Sequence, residues 1–447
     1  MGGLLAAWVL ADFYHTVTVV ERDVLPVDVA NRREVPQGRH GHVLLTRGSQ
    51  VLGELFPGLL DELVAAGAPV FDDGNLSKLS LSFGGHRLIR SGAFMNCRWT
   101  TVYYPSRPLL EAHVRQRLRA VPNVTILDGH DVVKLTSTAD RNRITGARVV
   151  NRDDGGERAL AADLVVDAAG RGARTPAFLE SLGYGRPVED HIVIRLVYTS
   201  QLLRIPPGVV KENVLVVAPV PGRLTGGAFF GYENGTAMLT LGGMMGREPP
   251  IERAEMLSFA EEFAPAAMLA ALRAGEPLGD VARYSVPSNQ WRRYDKMRRF
   301  PDGLLVFGDA ICSFNPLHAQ GMTVSAQEAV ALADCLRRGE RDLAQRFFRT
   351  ATKRIRPAWQ MAIGADLALP DVQGPRSLAT RLTNSYTDRV LTAAESDTVV
   401  SEKFFRVVNL VDPPTRLLHP SVVFRIATAN RRRRLSGRHR GRAVSDI

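Results

Sequence analysis

The sequence predicts an α/β chain: an open, parallel-sheet domain of the nucleotide-binding kind, its first strand missing, with an inserted antiparallel sheet and a helical C-terminal region. Three observations carry this. The chain opens on a helix and a β-branched strand tipped by a carboxylate. Long alternating strands fill residues 188 to 243, and a buried-strand pattern then returns at 303 to 310 and runs into helices. The discontinuous nucleotide domain is assigned to 1–77, 100–183 and 284–340, and the sheet to 78–99 and 184–283. Helices follow over 341–430, then a basic, disordered tail over 431–447.

The opening is MGGLLAAWVLADFYHTVTVVERD. Gly3, Ala6, Ala7 and Leu10 share one helical face, small enough to lie close against a sheet. Thr16 to Val20 is β-branched throughout and ends at Glu21, as a buried strand does. A helix, then a strand tipped by an acid, is the second half of a dinucleotide-binding βαβ unit. Gly3 suits the last glycine of G-x-G-x-x-G, since an acid about 20 residues on holds the ribose in that unit. The first strand and first two glycines would lie upstream of Met1, which predicts a start set inside the glycine loop. A Gly/Ala-rich helix before a strand also fits α/β proteins at large. A signal peptide is excluded, because no basic residue precedes GGLLAAWVLA and Asp12 and a strand follow it.

Further along, KLSLSFGGHRLIR (78–90) alternates like a hairpin, and SRPLLEAHVRQRLRAV (106–121) is an amphipathic helix with Ser106 as N-cap and Pro108 in its first turn. NVTIL, VVKLTS and ITGARVVNR read as short meander strands, and ADLVVDAAG (162–170) as a buried strand entering a glycine turn. The strands of 188 to 243 predict an antiparallel sheet with one face free for a ligand. Helices are expected near 252–263, 322–337 and 341–363.

Composition narrows the class. At 447 residues the chain can bury a large core, and its 45% apolar and 23% charged content is ordinary for a globular protein. No apolar run approaches the ~18 residues that span a bilayer. Cys97, Cys312 and Cys335 are scattered, which argues for a reducing, cytoplasmic setting and against structural zinc. The net charge of +11 is concentrated: eight arginines and one acid lie from Arg425 onward, so +7 of it is terminal. That distribution argues against nucleic acid and leaves a solubilising tail or a peripheral contact with an anionic surface.

The most informative stretch is GLLVFGDAICSFNPLHAQGMTVSAQEAVALADCL (303–336). A buried strand delivers Gly308 and Asp309, and a loop with Pro316 feeds Gly321 and a helix. Gly308 permits close approach, Asp309 can accept from sugar or polyol hydroxyls, and the helix directs free N–H groups into the crevice. With VPQGRHGHVLL (35–45), SRPLLEAHVR (106–115), VVDAAGRGARTPAFLESLGY (165–184) and YDKMRRFPDGLLVFGDA (294–310), this stretch resembles the FAD-dependent aromatic-hydroxylase-type monooxygenases, the p-hydroxybenzoate hydroxylase fold. It is most similar to their squalene-epoxidase-like branch, which includes the bacterial polyether epoxidases. The resemblance covers most of residues 1 to about 365.

The resemblance implies a Rossmann-like FAD-binding domain and a set of cofactor-binding residues. Gly3 would close the pyrophosphate loop and Glu21 hold the ribose. Arg107 would reach the FAD from its helix start, and Arg39, or Arg32 or Arg33, would meet the pyrophosphate. Val132 would contact adenine, His42 the flavin edge, Gly308 and Asp309 the ribitol, and Pro316, Gly321 and Met322 the ring, with Gly170 in the turn between. His40 and His42 lie two apart, but no third ligand of matching context exists, so a metal is rejected. His318 stands either as a general acid–base above the ring or as a structural loop histidine.

Two features depart from the family. Ala319 replaces the first glycine of the usual G-Q-G. Ala169 stands before Gly170 where the family's Asp-Gly motif has aspartate, which leaves the electron donor open between NAD(P)H and a separate reductase. No W-x-W-x-I-P segment occurs, which argues against a halogenase. The implied activity is transfer of one oxygen atom from O2, by way of a flavin C4a-hydroperoxide, to an apolar small molecule. No catalytic side chain is assigned. The alternatives are a geranylgeranyl-reductase-type reductase or dehydrogenase, an inactive fragment lacking the phosphate loop, and a polyanion binder led by the arginine tail.

Overall fold

A computed structural model describes residues 1–33 and 35–442. The opening helix, Gly2–Leu10, is buried on nearly all sides (Leu4, Leu5, Ala6, Ala7, Val9, Leu10), not on one face only. It packs beside the helix Gly321–Leu336, and Gly3 faces Ala168, where an added Cβ would sit at an ordinary contact distance of 3.6 Å. Val17–Val20 pairs in parallel with Val124–Leu127, and Val165–Asp167 with Leu304–Val306. These two ladders are separate, and helices Gly2–Leu10, Arg107–Arg119 and Gly321–Leu336 cover them. A three-stranded antiparallel sheet, His130–Ser137, Ile144–Asn151 and Glu157–Ala161, lies alongside.

The second layer is a nine-stranded sheet. From one edge its order is Cys312–Ser313, Ala282–Arg292, Glu189–Arg204, Thr236–Gly243, Thr225–Gly231, Val214–Val217, Leu79–Phe83 and His86–Arg87, with Glu276–Pro277 paired off the path to Glu189–Arg204. Every pairing is antiparallel except Val214–Val217 with Leu79–Phe83, which is parallel because a long excursion separates them. The strand Ala282–Arg292 lies wholly in this sheet, so the sheet runs past the boundary expected at residue 283. One sheet face carries Leu203, Leu215, Phe229, Leu239 and Leu241 and is sealed by helices Arg253–Glu261 and Ala266–Ala274. Period-two alternation turns the other face toward the nucleotide-type layer.

Helix Leu343–Leu367 continues the main core through Phe347, Phe348, Ile355 and Trp359. Helices Leu378–Ala394, Thr398–Val408 and Pro420–Arg442 form a smaller cluster with Leu88 and close one end of the sheet. The last helix runs through Arg442, into the segment 431–447 for which a disordered tail is expected. Residues 443–447 of that segment lie outside the described residues. No helix of the described residues is long and apolar enough to cross a membrane.

Candidate active site

One cavity of about 2140 Å³ runs from the carboxyl end of Val17–Val20, past the amino end of the opening helix, to the inner face of the large sheet. Its nucleotide-side wall is a charge cluster. Arg32 pairs with Glu21 at 2.8 Å and with Glu111 at 2.7 Å, and lies 3.5 Å from Asp23. Glu111 also faces Arg107 at 3.7 Å and Arg115 at 3.6 Å, one turn away on its own helix. Ser106 caps that helix by accepting the Leu109 N–H at 3.3 Å, and this fixes where Arg107 enters the cavity. The buried Arg107 Nε has no hydrogen bond among the described residues.

Asp309 follows Gly308 at the end of Leu304–Val306 and lines the same wall with no side-chain hydrogen bond among the described residues. Burial raises its pKa, and the charges of Arg107 and Arg171 oppose that rise. Gly308 supplies the turn at φ +66° and Gly170 its own at +76°, with open space where a Cβ would be. A guanidinium held only by the longer Glu111 contact and a carboxylate without a hydrogen bond among the described residues, facing one long groove, fit a ligand that carries both phosphates and hydroxyls. An FAD is such a ligand.

At the other end, Pro316, Gly321 and Met322 form the loop and helix start that border the cavity. Ala319 is held in the left-handed region at φ +54°, a conformation that explains why glycine suits this position. His42 Nε2 lies 3.2 Å from Met322 Sδ. Its backbone N–H donates to Tyr232 Oη at 2.7 Å, and that hydroxyl donates back to the His42 carbonyl at 2.8 Å. Burial first, and Arg107 second, push the His42 pKa down to about 3, so the ring is neutral at neutral pH. Glu328, fully buried in helix Gly321–Leu336, accepts the Gly308 N–H at 2.7 Å, and burial pushes its pKa up to about 8.

The sheet side is mostly apolar, with Leu81, Val216, Ala228, Phe230 and Val286 on the wall and Tyr198, Thr240 and Tyr284 among them. His318 also borders the cavity and does not stand alone. Its Nε2 lies 3.2 Å from Asp366 Oδ1, a carboxylate that also accepts from Asn289 Nδ2 at 2.7 Å and Asn315 Nδ2 at 2.9 Å.

Of the residues singled out in the sequence, Gly3, Glu21, His42, Arg107, Val132, Gly170, Asp309, Pro316, Gly321 and Met322 all line this cavity. Gly308 sits just behind its wall, with its N–H turned to Glu328. Arg39, at the end of the short helix Pro36–Arg39, is exposed and lies outside this lining. Arg32 and Arg33 line the groove in its place. His40 and His42 lie in no strand of the described residues, and the two rings have different partners, Ser200 and Met322. Sequence reasoning missed Glu111, Arg171, Ser200, Thr240 and Asp366. Glu111 alone left a trace, one turn after Arg107.

A family model described as an FAD binding domain matches residues 2–362. The chain belongs to this FAD-binding family. Protein Rv3254 of Mycobacterium tuberculosis (strain ATCC 25618 / H37Rv) is 39% identical over 421 residues, 92% of this chain and 88% of that protein. Among solved structures, p-nitrophenol 4-monooxygenase PnpA from Pseudomonas putida DLL-E4 superposes with a TM-score of 0.62 at 15% identity, over 91% of this chain and 95% of that one. PqsL of P. aeruginosa, solved with 2-aminobenzoylacetate, gives 0.58 at 19%, over 91% and 96%. The flavin-dependent brominase Bmp2 gives 0.63 at 14%, over 97% of each. At these identities the likeness is one of fold. The chain is an FAD-dependent oxidoreductase with the architecture of the flavin monooxygenases.

Proposed function

We propose that the protein is a monooxygenase that inserts one atom of O2 into a largely apolar small molecule, by epoxidation of an alkene or hydroxylation of an electron-rich ring. The observation that carries this reading is the continuity of one cavity from the charged Arg107–Asp309 wall to the apolar sheet face. Bound FAD would supply O2 activation. The chain's own part is to hold the cofactor and substrate and to keep water away. Arg107 would meet the pyrophosphate, Glu21 the ribose, Val132 the adenine, and Asp309 the ribitol. Gly3 and Gly170 would admit the backbone of the ligand, while Pro316, Gly321, Met322 and His42 would border the ring.

Electrons come, in this reading, from a separate reductase, which the Ala169 departure favours over direct use of NAD(P)H. Retention of a visible flavin band after FAD addition and desalting tests the cofactor site. Anaerobic NADPH then tests the donor: a band that bleaches only when a flavin reductase is added supports a separate partner. Reaction under 18O2 with panels of alkenes and phenols tests oxygen transfer. Label in the product supports the monooxygenase, whereas reduced, unlabelled product would establish the reductase alternative instead.

A further inference from the structure

His40 follows the short helix Pro36–Arg39 where the chain crosses the sheet, and it is 4% exposed. Its Nδ1 lies 2.8 Å from Ser200 Oγ, and Ser200 Oγ lies 2.7 Å from Thr240 Oγ1. Thr240 Oγ1 in turn accepts the Gly41 N–H at 3.0 Å. Ser200 and Thr240 are direct partners across the antiparallel ladder, so the sheet register itself brings the two hydroxyls together. A Cβ at Gly41 would come 2.8 Å from Thr240 Oγ1, which is why the backbone can approach closely enough to donate there.

The direction of this chain follows from its protons. Thr240 Oγ1 accepts from Gly41, and its own proton goes to Ser200 Oγ. Ser200 then donates to His40 Nδ1, which must be the unprotonated nitrogen, so the ring carries its one N–H on Nε2. The opposite order, with Nδ1–H donating to Ser200 and Ser200 to Thr240, leaves the Thr240 proton outside the relay, and a third, with His40 and Thr240 both donating to Ser200, leaves out the Ser200 proton, so the first order alone uses every hydroxyl proton of the relay. Burial, with Arg39 adding to it, pushes the His40 pKa down to about 4, so the ring holds a single proton at neutral pH. Its Nε2 has no hydrogen bond among the described residues, and the ring borders the cavity. Tyr198 meets it edge-on at 4.5 Å between centroids, Tyr284 lies at 6.0 Å, and the two tyrosines are 5.8 Å apart.

We propose that His40 is a specificity-determining residue, whose Nε2–H donates to a carbonyl or ionised ring oxygen of a substrate seated against Tyr198 and Tyr284. The inference rests on the monooxygenase reading, because it names the substrate class of that cavity: a ring compound bearing an oxygen acceptor, in preference to a plain hydrocarbon. The hydrophobic wall would supply the affinity, and the His40 donor facing the cavity would select among ligands of similar shape, since a ligand that covers it without an acceptor leaves it unpaired.

The test uses the full chain with FAD added. Histidine-selective 15N NMR, with His40 assigned from the His40→Phe variant, is expected to show a protonated Nε2 and an unprotonated Nδ1. A protonated Nδ1 overturns the proposal. As a probe pair, 1-tetralone and tetralin differ by one carbonyl. The ketone is expected to bind about tenfold better after correction for their partitioning, the worth of one hydrogen bond, and His40→Phe should erase the difference. Ser200→Ala, a smaller change, should weaken the preference by freeing Nδ1. An unchanged preference in both variants, or no tetralone binding, overturns the proposal. The flavin band and 18O readouts report separately on the oxygenase reading.

Discussion

Two single residues make the site's electrostatics testable. Burial pushes the Glu328 pKa up to about 8 in the fold, from about 4.5 for the exposed side chain. The folded state therefore binds more protons than the unfolded chain across that window. The stability this group contributes is complete below about 4.5 and is lost as pH rises through about 8. Glu328→Gln keeps an oxygen for the Gly308 N–H and removes the titration. Melting followed from about pH 5 to about pH 9 should show the variant gaining on the parent at the alkaline end, by up to ~4 kcal/mol. Parallel profiles would show that Glu328 ionises freely. Arg107 makes a different case, since its buried Nε finds no hydrogen bond among the described residues. Arg107→Met should weaken FAD binding at least tenfold in a flavin-fluorescence titration, the scale of a lost charge-assisted contact, with little loss of apoprotein stability. Asp309 stood out in the sequence from a glycine after a strand, and Arg107 through the family resemblance of its Ser-Arg helix start; both line the cavity. His40 was visible only as a residue type, because its partners lie 160 and 200 positions away in sequence.

Among the elements, the Pro316 loop shows how a border of the cavity is fastened. Asp366, buried in helix Leu343–Leu367, binds Asn289 of the sheet together with Asn315 and His318 of the loop, and Asn289 Oδ1 accepts the Asn315 N–H at 2.6 Å. Three elements thus share one carboxylate. Asp366→Ala would leave two buried amide donors unpaired, a cost of roughly 2–4 kcal/mol. It should lower the melting temperature and make the loop susceptible to limited proteolysis, whereas Asp366→Asn, which keeps an acceptor, should fall between. Equal protease resistance in all three proteins would show the loop to be held by Pro316 and packing alone. The helices here were readable from period and caps, and Gly321–Leu336 starts one residue from its expected position. What the sequence concealed was sheet membership. Ala282–Arg292 alternates no differently from a nucleotide-domain strand, and only its pairing with Glu189–Arg204 assigns it.

Across the whole molecule, the two parallel ladders of the nucleotide-type layer share no hydrogen-bonded strand, and the cavity passes between them. Glu21 and Val132 border the cavity on the first ladder's side, Asp309 and Gly170 on the second, and Pro316 and Met322 beyond both. A ligand long enough to touch all three regions would couple them, while a shorter one would stabilise only the first. By mass action, a ligand at a hundred times its dissociation constant adds about 2.7 kcal/mol. With an unfolding entropy of ~2.1 cal/mol/K per residue, that raises the melting temperature of a chain this size by about 3 °C. FAD should produce a shift of that order. ADP, at the same multiple of its own dissociation constant, must by linkage match FAD in a single global transition, but not if the ladders melt separately. In that case ADP should raise only the step in which the first ladder melts, and FAD should merge the two. Calorimetry of the full chain decides between these. One transition with equal shifts would mean that the helices alone already bind the layer into one unit, and two steps that FAD leaves apart would show that the cofactor does not span the groove.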